Sequence, residues 1–562
     1  MPLPPSGNTP WPPPQLDIPH ADIDMWRAWY SGNTDHLAAV YGGPTNYRSN
    51  AVARQFFEVD KRRAGGEELR SFWGQAPSPG QQAAKLHVPI GADIAEMSAN
   101  LLWADVPQVT VDGDSTDKVT ARTTQAQIGR YLDDRGHAKF REGAELTAGL
   151  SNVYLRVVWD TTLRPRPWTD VIAPEAVVPT WKWGALAEAI VWQELAPLED
   201  ATKVWRLLEF HTPGAIEYGL YEGKVGVLGM RADTLAAHPD TEYLVKRTDV
   251  RGRQSTGVDR MLITHLPNVL PNRVWDGVPG TAPLGRSDFA GIEPMMDALD
   301  ETWTSWMRDL RLGKARLIVP QSMLETEGAG SGGLFDLDKE VSVALNLLGG
   351  ETMKDSITEV QFNIRVEAHE QTSRALRLQI LSSAGYSAQG FGEAGTIAAT
   401  ATEVVARKEE SLTTRGTKLL YQRPALVEHL TTMMMVDVKH CKAKGVDPAA
   451  ELTASWPQAV QPDPEATART LSLLDAAGAI SDFMKVKWRS PELDDTEVEA
   501  EVRRIRADKR ADMVPAGDPF NTGGGIDPNV DPATGSGDGS DTAAGADEPQ
   551  AEPGDEPALK VA

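Results

Sequence analysis

Apolar positions in this chain recur at helical spacing in several separate stretches and at strand spacing in one long central region. Met25, Trp26, Trp29 and Tyr30 form an aromatic helical face that starts near Asp24. Residues 51–73 repeat the helical spacing and stop near Phe72-Trp73-Gly74. The run Lys85 to Ile90 reads as a short strand, and a helix follows over Ala92–Trp103 with Ile94, Met97, Leu101 and Leu102 on one side. Gln108–Val111 alternates as a strand does, and residues 118–147 read as one or two helices. From 151 to 270 the texture changes to short β-branched and aromatic runs separated by Gly and Pro turns: Val153–Trp159, Val171-Ile172, Ile190–Trp192, Val204–His211 and Ile216–Tyr221. Such runs predict a region of β-hairpins.

The pattern over 286–440 is the most informative. Ile292, Met295, Met296, Leu299, Trp303, Trp306, Met307 and Leu310 recur every three or four residues, which predicts an amphipathic helix over 286–314 capped by Ser287 or Asp288. Acids crowd its first half, and Arg308, Arg311 and Lys314 lie at its end, as the helix dipole favours. Residues 315–364 break the helical spacing. Arg316–Pro320, Val341–Leu347 and Ile357–Val360 look like strands, with Gly328–Gly333 as a flexible loop. Helical spacing returns over 365–384. The stretch 385–395 holds four glycines, which excludes a helix. A long helix is then expected over 396–442, about 70 Å if straight. Pro424 falls in its interior and predicts a kink.

Beyond it, Glu451–Trp456 reads as a strand, and Pro464–Ala477 and Asp494–Arg510 as helices around the turn Gly478–Ser481. The proline-rich residues 1–22 predict an extended arm. Residues 516–562 hold ten acids and one lysine, a net −9, with abundant Gly, Pro and Ala, and read as a disordered acidic tail. The whole chain carries −24, so the remainder keeps −24 − (−9) = −15. That balance argues against a tightly clamping nucleic-acid binder, which needs a basic stripe. No apolar run is long enough to span a bilayer, and the start lacks a signal-peptide pattern, so the expectation is a protein that stays in the compartment where it is made.

Little in the sequence points to catalysis. The loop Gly328 to Gly333 fits G-x-G-x-x-G, but no helix follows it, so a turn is the expected reading. Neither Gly223-Lys224 nor Gly313-Lys314 completes a P-loop. The ten histidines lack ligand spacing, and H-E-x-x-H and G-x-S-x-G are absent. The single cysteine, Cys441, lies between Lys439-His440 and Lys442, neighbours that can lower a thiol pKa, and is read as a bystander. No catalytic residue, cofactor or metal is expected.

The order of helix, small β insert, helix, glycine-rich loop and long proline-bearing helix resembles the portal (head–tail connector) family of tailed bacteriophages. Three further pieces share the resemblance. Val88–Trp103 is an apolar-Pro turn with a helix ending in Leu-Leu-Trp. Gly385–Phe391 is followed by Thr400-Ala401-Thr402-Glu403-Val404. Leu471–Ser481 is a helix closed by Ala-Gly-Ala-Ile-Ser. The resemblance implies an α+β portal fold of wing, stem, clip and crown, mostly helical, with a β-rich wing and a small β clip. Its parts would be an arm (1–22), a wing (23–285, β-rich over 151–270), stem helices (286–314 and 365–384), a clip (315–364), a tunnel loop (385–395), the long kinked helix (396–442), a crown-like unit (443–515) and the tail (516–562).

The resemblance also implies a non-enzymatic role in a ring of about twelve copies at the capsid vertex. The ring would be the channel for genome packaging and ejection, with subunits made in the host cytoplasm. Implied partners are the terminase large subunit, the major capsid protein and scaffold, head–tail connector proteins, and double-stranded DNA passing without sequence specificity; no membrane is implied. Tyr386, Ser387, Gln389, Phe391 and Glu393 are the candidate DNA-facing residues. They include no Lys or Arg, so DNA could slide past without strong counterion-release binding. The clip holds eight acids against Arg316, Lys339 and Lys354, and Glu325, Glu327, Asp336 and Asp338 are candidates for docking a basic terminase surface. Another virion component, such as a scaffold or tail adaptor, and a nuclease built from dispersed carboxylates are the competing expectations.

Overall fold

The computed structural model describes residues 3–42, 71–75, 85–111, 117–198, 200, 202–312, 316–318, 325–326, 333–334, 358–360, 365–391, 401–457, 464–490 and 495–512. Two compact units divide the chain, Met1–Pro462 and Asp463–Ala562. The expected helix over 51–73 lies mostly outside the described residues, as do the strand expected over Val341–Leu347 and the acidic tail. The end of that expected helix, Ser71 to Gln75, is a turn that buries Phe72 and Trp73.

The proline-rich start of the first unit is tied down. Gly7–Pro10 (β1) pairs antiparallel with Val227–Arg231, and Leu3 and Trp11 are buried beside it. The Tyr221 hydroxyl donates to the Pro4 carbonyl at 2.6 Å. A sheet edge is where a strand ending in proline can pair without losing a ladder bond. Helix α1 (Asp17–Ser31) then begins earlier than Asp24, since Pro19 fits a first helical turn, and it closes at Gly32 in the left-handed conformation (φ 63°). After α2 (Thr34–Gly42), the expected strand at Lys85–Ile90 is extended chain instead. Its amides find side-chain acceptors on a distant helix, Leu86 on Thr304 at 3.0 Å and Val88 on Asp300 at 2.8 Å.

Helix α3 (Ile90–Trp103) matches its apolar spacing. Strand β2 (Gln108–Val111) follows, and the region after it is two helices, α4 (Lys118–Tyr131) and α5 (Asp134–Leu150). Asp133 separates them and caps α5 by accepting the Gly136 amide at 3.0 Å.

The β-rich region is antiparallel throughout. Asn152–Val158 (β3) pairs with Trp168–Ile172 (β4) and with Ile263–Pro267 in a three-stranded sheet. Val177–Lys182 (β5), Ala185–Glu194 (β6), Val204–Thr212 (β7), Ala215–Lys224 (β8) and Val227–Arg231 (β9) form a meander. With β1 on its edge and Arg253–Ser255 on β8, the meander makes a seven-stranded sheet. Leu207, Leu208, Leu220 and Tyr221 at its centre are fully buried.

Large aromatics fill the core. Trp26, Trp29, Trp103 and Trp275 are buried. Trp103 stacks on Phe140 (5.1 Å between centroids, 9°) and meets Trp456 edge-on. Removing such a ring leaves a cavity costing about 3–5 kcal/mol. The strand expected at 451–456 is Leu452–Ser455, paired antiparallel with β2.

The described residues of the second unit form three helices, Pro464–Ala476, Asp482–Arg489 and Asp495–Asp512. The middle one was not expected. It is eight residues long, is capped by Ser481 accepting the Met484 amide, and contributes Val486 to a small core with Val498 and Val502.

Burial pushes the imidazoles of His265 and His429 down to about 3. Both stay neutral in the fold and take up a proton below about pH 6.5 once unfolded. Their contribution to stability is therefore complete above pH 6.5 and is lost as pH falls from there toward 3. Acidification from pH 7 to pH 5 should remove about 2 kcal/mol per histidine. The fall in denaturation midpoint over that range should be visibly smaller in H429Q than in the unaltered protein.

Candidate functional site: a helix pair and an anchored loop

The amphipathic helix, α6, spans Glu293–Leu312 rather than 286–314. Neither Ser287 nor Asp288 caps it, because both are engaged elsewhere. The Ser287 hydroxyl donates to the Gly149 carbonyl at 2.6 Å, and Asp288 accepts from Asn268, Tyr386 and Lys418. Gly291 turns the chain at φ 93°, and its amide donates to Glu293 at 2.7 Å. The first half of α6 is embedded, with Met296 and Leu299 buried along with Ile292 just before it.

Carboxylates on this half hold segments from the N-terminal part of the chain. Asp297 accepts the amides of Phe72 and Trp73 at 2.7 and 3.1 Å. Asp300 accepts from the Val88 amide, the Trp73 indole and His87 Nδ1 at 2.8, 3.0 and 2.8 Å. Glu293 accepts the Trp26 indole at 2.8 Å. Burial raises the pKa of Glu293 and Asp297, and the donated hydrogen bonds oppose that shift. Lys85 closes the same corner, donating to the carbonyls of Phe72, Trp73 and Gln75.

The second half of α6 is covered only in part. Trp303, Trp306 and Met307 are half-buried and Leu310 is exposed. The returning helix α7 (Val366–Ser383) packs on it. His369 lies flat against Trp306 and donates to Asp309 at 3.0 Å, which holds that carboxyl below its usual range. Between the two helices the described residues of the insert form two antiparallel pairs, Arg316–Ile318 with Thr358–Val360 and Glu325–Thr326 with Gly333–Leu334. Strands, not a helix, flank the glycine loop, as a turn requires. Glu325 lies on the second pair; Glu327, Asp336 and Asp338 lie outside the described residues.

Helix α7 gives way after Ser383 to Gly385 in the left-handed conformation (φ 85°). Tyr386, expected to face DNA, is 1% exposed. Its hydroxyl donates to Asp288 at 2.7 Å and accepts from Lys418 at 2.9 Å. Ser387, Gln389 and Phe391 are half-buried, and Phe391 packs on the core. Ala388–Phe391 makes one 3-10 turn despite Gly390, since so short a piece needs few favourable residues. Glu393 lies outside the described residues.

Helix α8 (Ala401–Val436) carries Pro424 without interruption and passes into a π-turn at Asp437–Cys441. Leu420, whose carbonyl loses its donor to Pro424, is exposed, so water can serve that oxygen. The π-turn buries Asp437 against Tyr131 and Gln127, and burial with Asp437 pushes the Cys441 thiol up to about 11. Its basic neighbours therefore do not activate it.

The residues missed from sequence are polar and buried. Lys418 lies 2.5 Å from Asp288 and 2.7 Å from Ser98, with both members of the ion pair at most 6% exposed. Burial lowers the Lys418 pKa and Asp288 opposes that; burial and Asp288 raise the Tyr386 pKa. No local pattern marks Lys418 as internal. Among the described residues, no group of three or more His, Cys, Asp or Glu could hold a metal ion, and no helix is long and apolar enough to cross a membrane.

The described residues make a mixed body of helix and sheet with a helix pair, a β insert between its members and a loop anchored after it. Residues 242–514 match the family described as Phage portal protein, SPP1 Gp6-like, the family that the order of elements resembles. That family is structural. No curated protein matches the chain. Similar solved structures include two of the neck of a GTA particle. The native particle (C12 symmetry) is 13% identical, covers 71% of this chain and 88% of that one, and has a TM-score of 0.35. The empty particle (C6 symmetry) is 16% identical, covers 75% and 95%, and has a TM-score of 0.38.

Replacing Asp300 by Ala strands three donors at a buried site. Chemical denaturation should show a loss of about 3 kcal/mol or more in D300A, against a few tenths for the exposed control E301A.

Proposed function

We propose that this chain is the portal subunit of a tailed phage, assembling head-to-tail into a ring of about twelve copies whose channel passes the genome in packaging and ejection. The observation that carries this reading is the apolar stripe of α6. It is buried as far as Leu299 and then runs on through half-covered Trp303, Trp306 and Met307 to exposed Leu310. A lone helix pair leaves such a stripe wet, and a neighbouring copy would cover it. The family match over 242–514 supports the same role.

In this reading α6 and α7 are the stem and the 315–364 insert is the clip. The acids Glu325, Glu327, Asp336 and Asp338 meet a basic surface of the terminase large subunit, and head–tail connector proteins replace it later. Capsid protein and scaffold contact the wing, and a bend at Pro424 directs the long helix. Ser387, Gln389, Phe391 and Glu393 remain the DNA-facing candidates, without Tyr386. The protein acts at the portal vertex of the virion.

Native mass measurement should give a ring of about twelve chains with a central hole in negative stain; a clean monomer that cuts DNA with Mg²⁺ overturns the reading. L310E should shift the ring toward single chains while leaving the helical content unchanged. Replacing 392–399 by a short Gly-Ser linker should spare the ring and block DNA packaging, because those residues lie beyond the anchored Tyr386.

A further inference from the structure

Three cations from three separate segments line one cleft of the first unit, in a chain whose net charge is −24. The cleft holds about 380 Å³, at the small end of the range for small-molecule sites. Helix α4 supplies one wall through Thr123, Gln127 and Arg130, which recur at helical spacing and share a face. The β3–β4 loop supplies Arg166, and the chain beyond α8 supplies Lys444. The walls are held in place by the protein itself. Pro165 and Pro167 flank Arg166 and restrict its backbone, and its guanidinium pairs with Asp133. After the π-turn, Lys442 in the left-handed conformation (φ 58°) redirects the chain, and the Asp447 amide donates to the Thr124 hydroxyl on α4 at 3.0 Å. At the floor, buried Asp437 accepts from Gln127 at 2.6 Å and from Tyr131 at 2.5 Å, so that carboxylate is already engaged. Arg130 donates to Gln127 at 3.1 Å, which leaves most of its guanidinium open. Among the described residues, neither Arg130 nor Lys444 pairs with a carboxylate.

We propose that this cleft binds a small phosphate-bearing anion, held by Arg130, Arg166 and Lys444. The donors fix the chemical class. Two guanidinium forks and one ammonium suit an oxyanion with several charged oxygens, each able to accept a charge-assisted hydrogen bond. The same donors argue against nucleic acid. No aromatic ring lines the cleft among the described residues, so a base of a single strand has nothing to stack on. Three cations around one cleft also fall short of the basic stripe that a duplex requires. Bound there, the anion ties α4, the β3–β4 loop and the chain beyond α8 to one another. The site does not depend on the ring reading, since all its walls come from one chain.

Calorimetric titration of the full chain with pyrophosphate, at fixed ionic strength, tests the site. Saturable binding is expected. R130Q and K444Q should each weaken it about tenfold, the loss of one hydrogen bond from a charged donor. R122Q removes a cation of α4 that does not line the cleft and should leave the affinity unchanged. Arg130 and Lys444 are exposed, so each variant should keep its denaturation midpoint in the absence of pyrophosphate, and each decides the matter without the other. Absence of saturable binding overturns the site. Binding that survives both substitutions overturns it too, as does a pyrophosphate-induced rise in midpoint that sodium chloride reproduces at equal ionic strength. A short DNA duplex that binds through Arg130 and Lys444 where pyrophosphate does not overturns the assignment to a small anion.

Discussion

The buried pair of Lys418 and Asp288 holds together parts of the molecule that are far apart in sequence. An ammonium and a carboxylate taken out of water cost several kcal/mol each unless paired and hydrogen-bonded. Here the cost is met by close contact and by Ser98 and Tyr386, which occupy further donor and acceptor sites. The pair makes four segments mutually dependent: α3, the turn before α6, the loop after α7, and α8. Loss of one partner would leave the other charged and stranded, so the arrangement holds as a whole or fails as a whole.

The same logic is repeated along the first half of α6. Asp297 and Asp300 accept amide, indole and imidazole donors from segments that have no strand or helix of their own to satisfy them, and Glu293 accepts the indole of Trp26 on α1. Helix α6 is thus rooted by polar contacts, which are directional and fix its register. Its far half is left with apolar rings only partly covered. In the proposed ring, the root sets where the tip points, and association would supply the missing burial.

Legibility from sequence followed the range of the forces involved. The spacing of Ile94, Met97 and Leu101 was enough to find α3, and alternation and turn residues found the hairpins of the meander, because both patterns are local. Errors came where a distant partner outbid a local preference. Lys85–Ile90 looks like a strand, yet its amides go to α6 side chains. Ser287 and Asp288 look like caps, yet both are claimed by segments more than 90 residues away in sequence, such as Gly149 and Tyr386. The proline-rich start reads as an extended arm, and what sequence does not show is that it pairs with a sheet edge.

The order of elements from α6 to α8 was determined by sequence alone, and with it the resemblance to portals, because apolar periodicity and a glycine-rich interruption need no tertiary information. Which loop residues point inward was decided only by the tertiary structure. Tyr386 sits among Ser387, Gln389 and Phe391 in a stretch whose composition reads as exposed, and only the approach of Lys418 from α8 and Asp288 from before α6 makes its burial favourable. A buried polar cluster has no periodicity to read. Its members become favourable partners only when the chain has brought them within hydrogen-bonding distance, and that distance is a property of the fold.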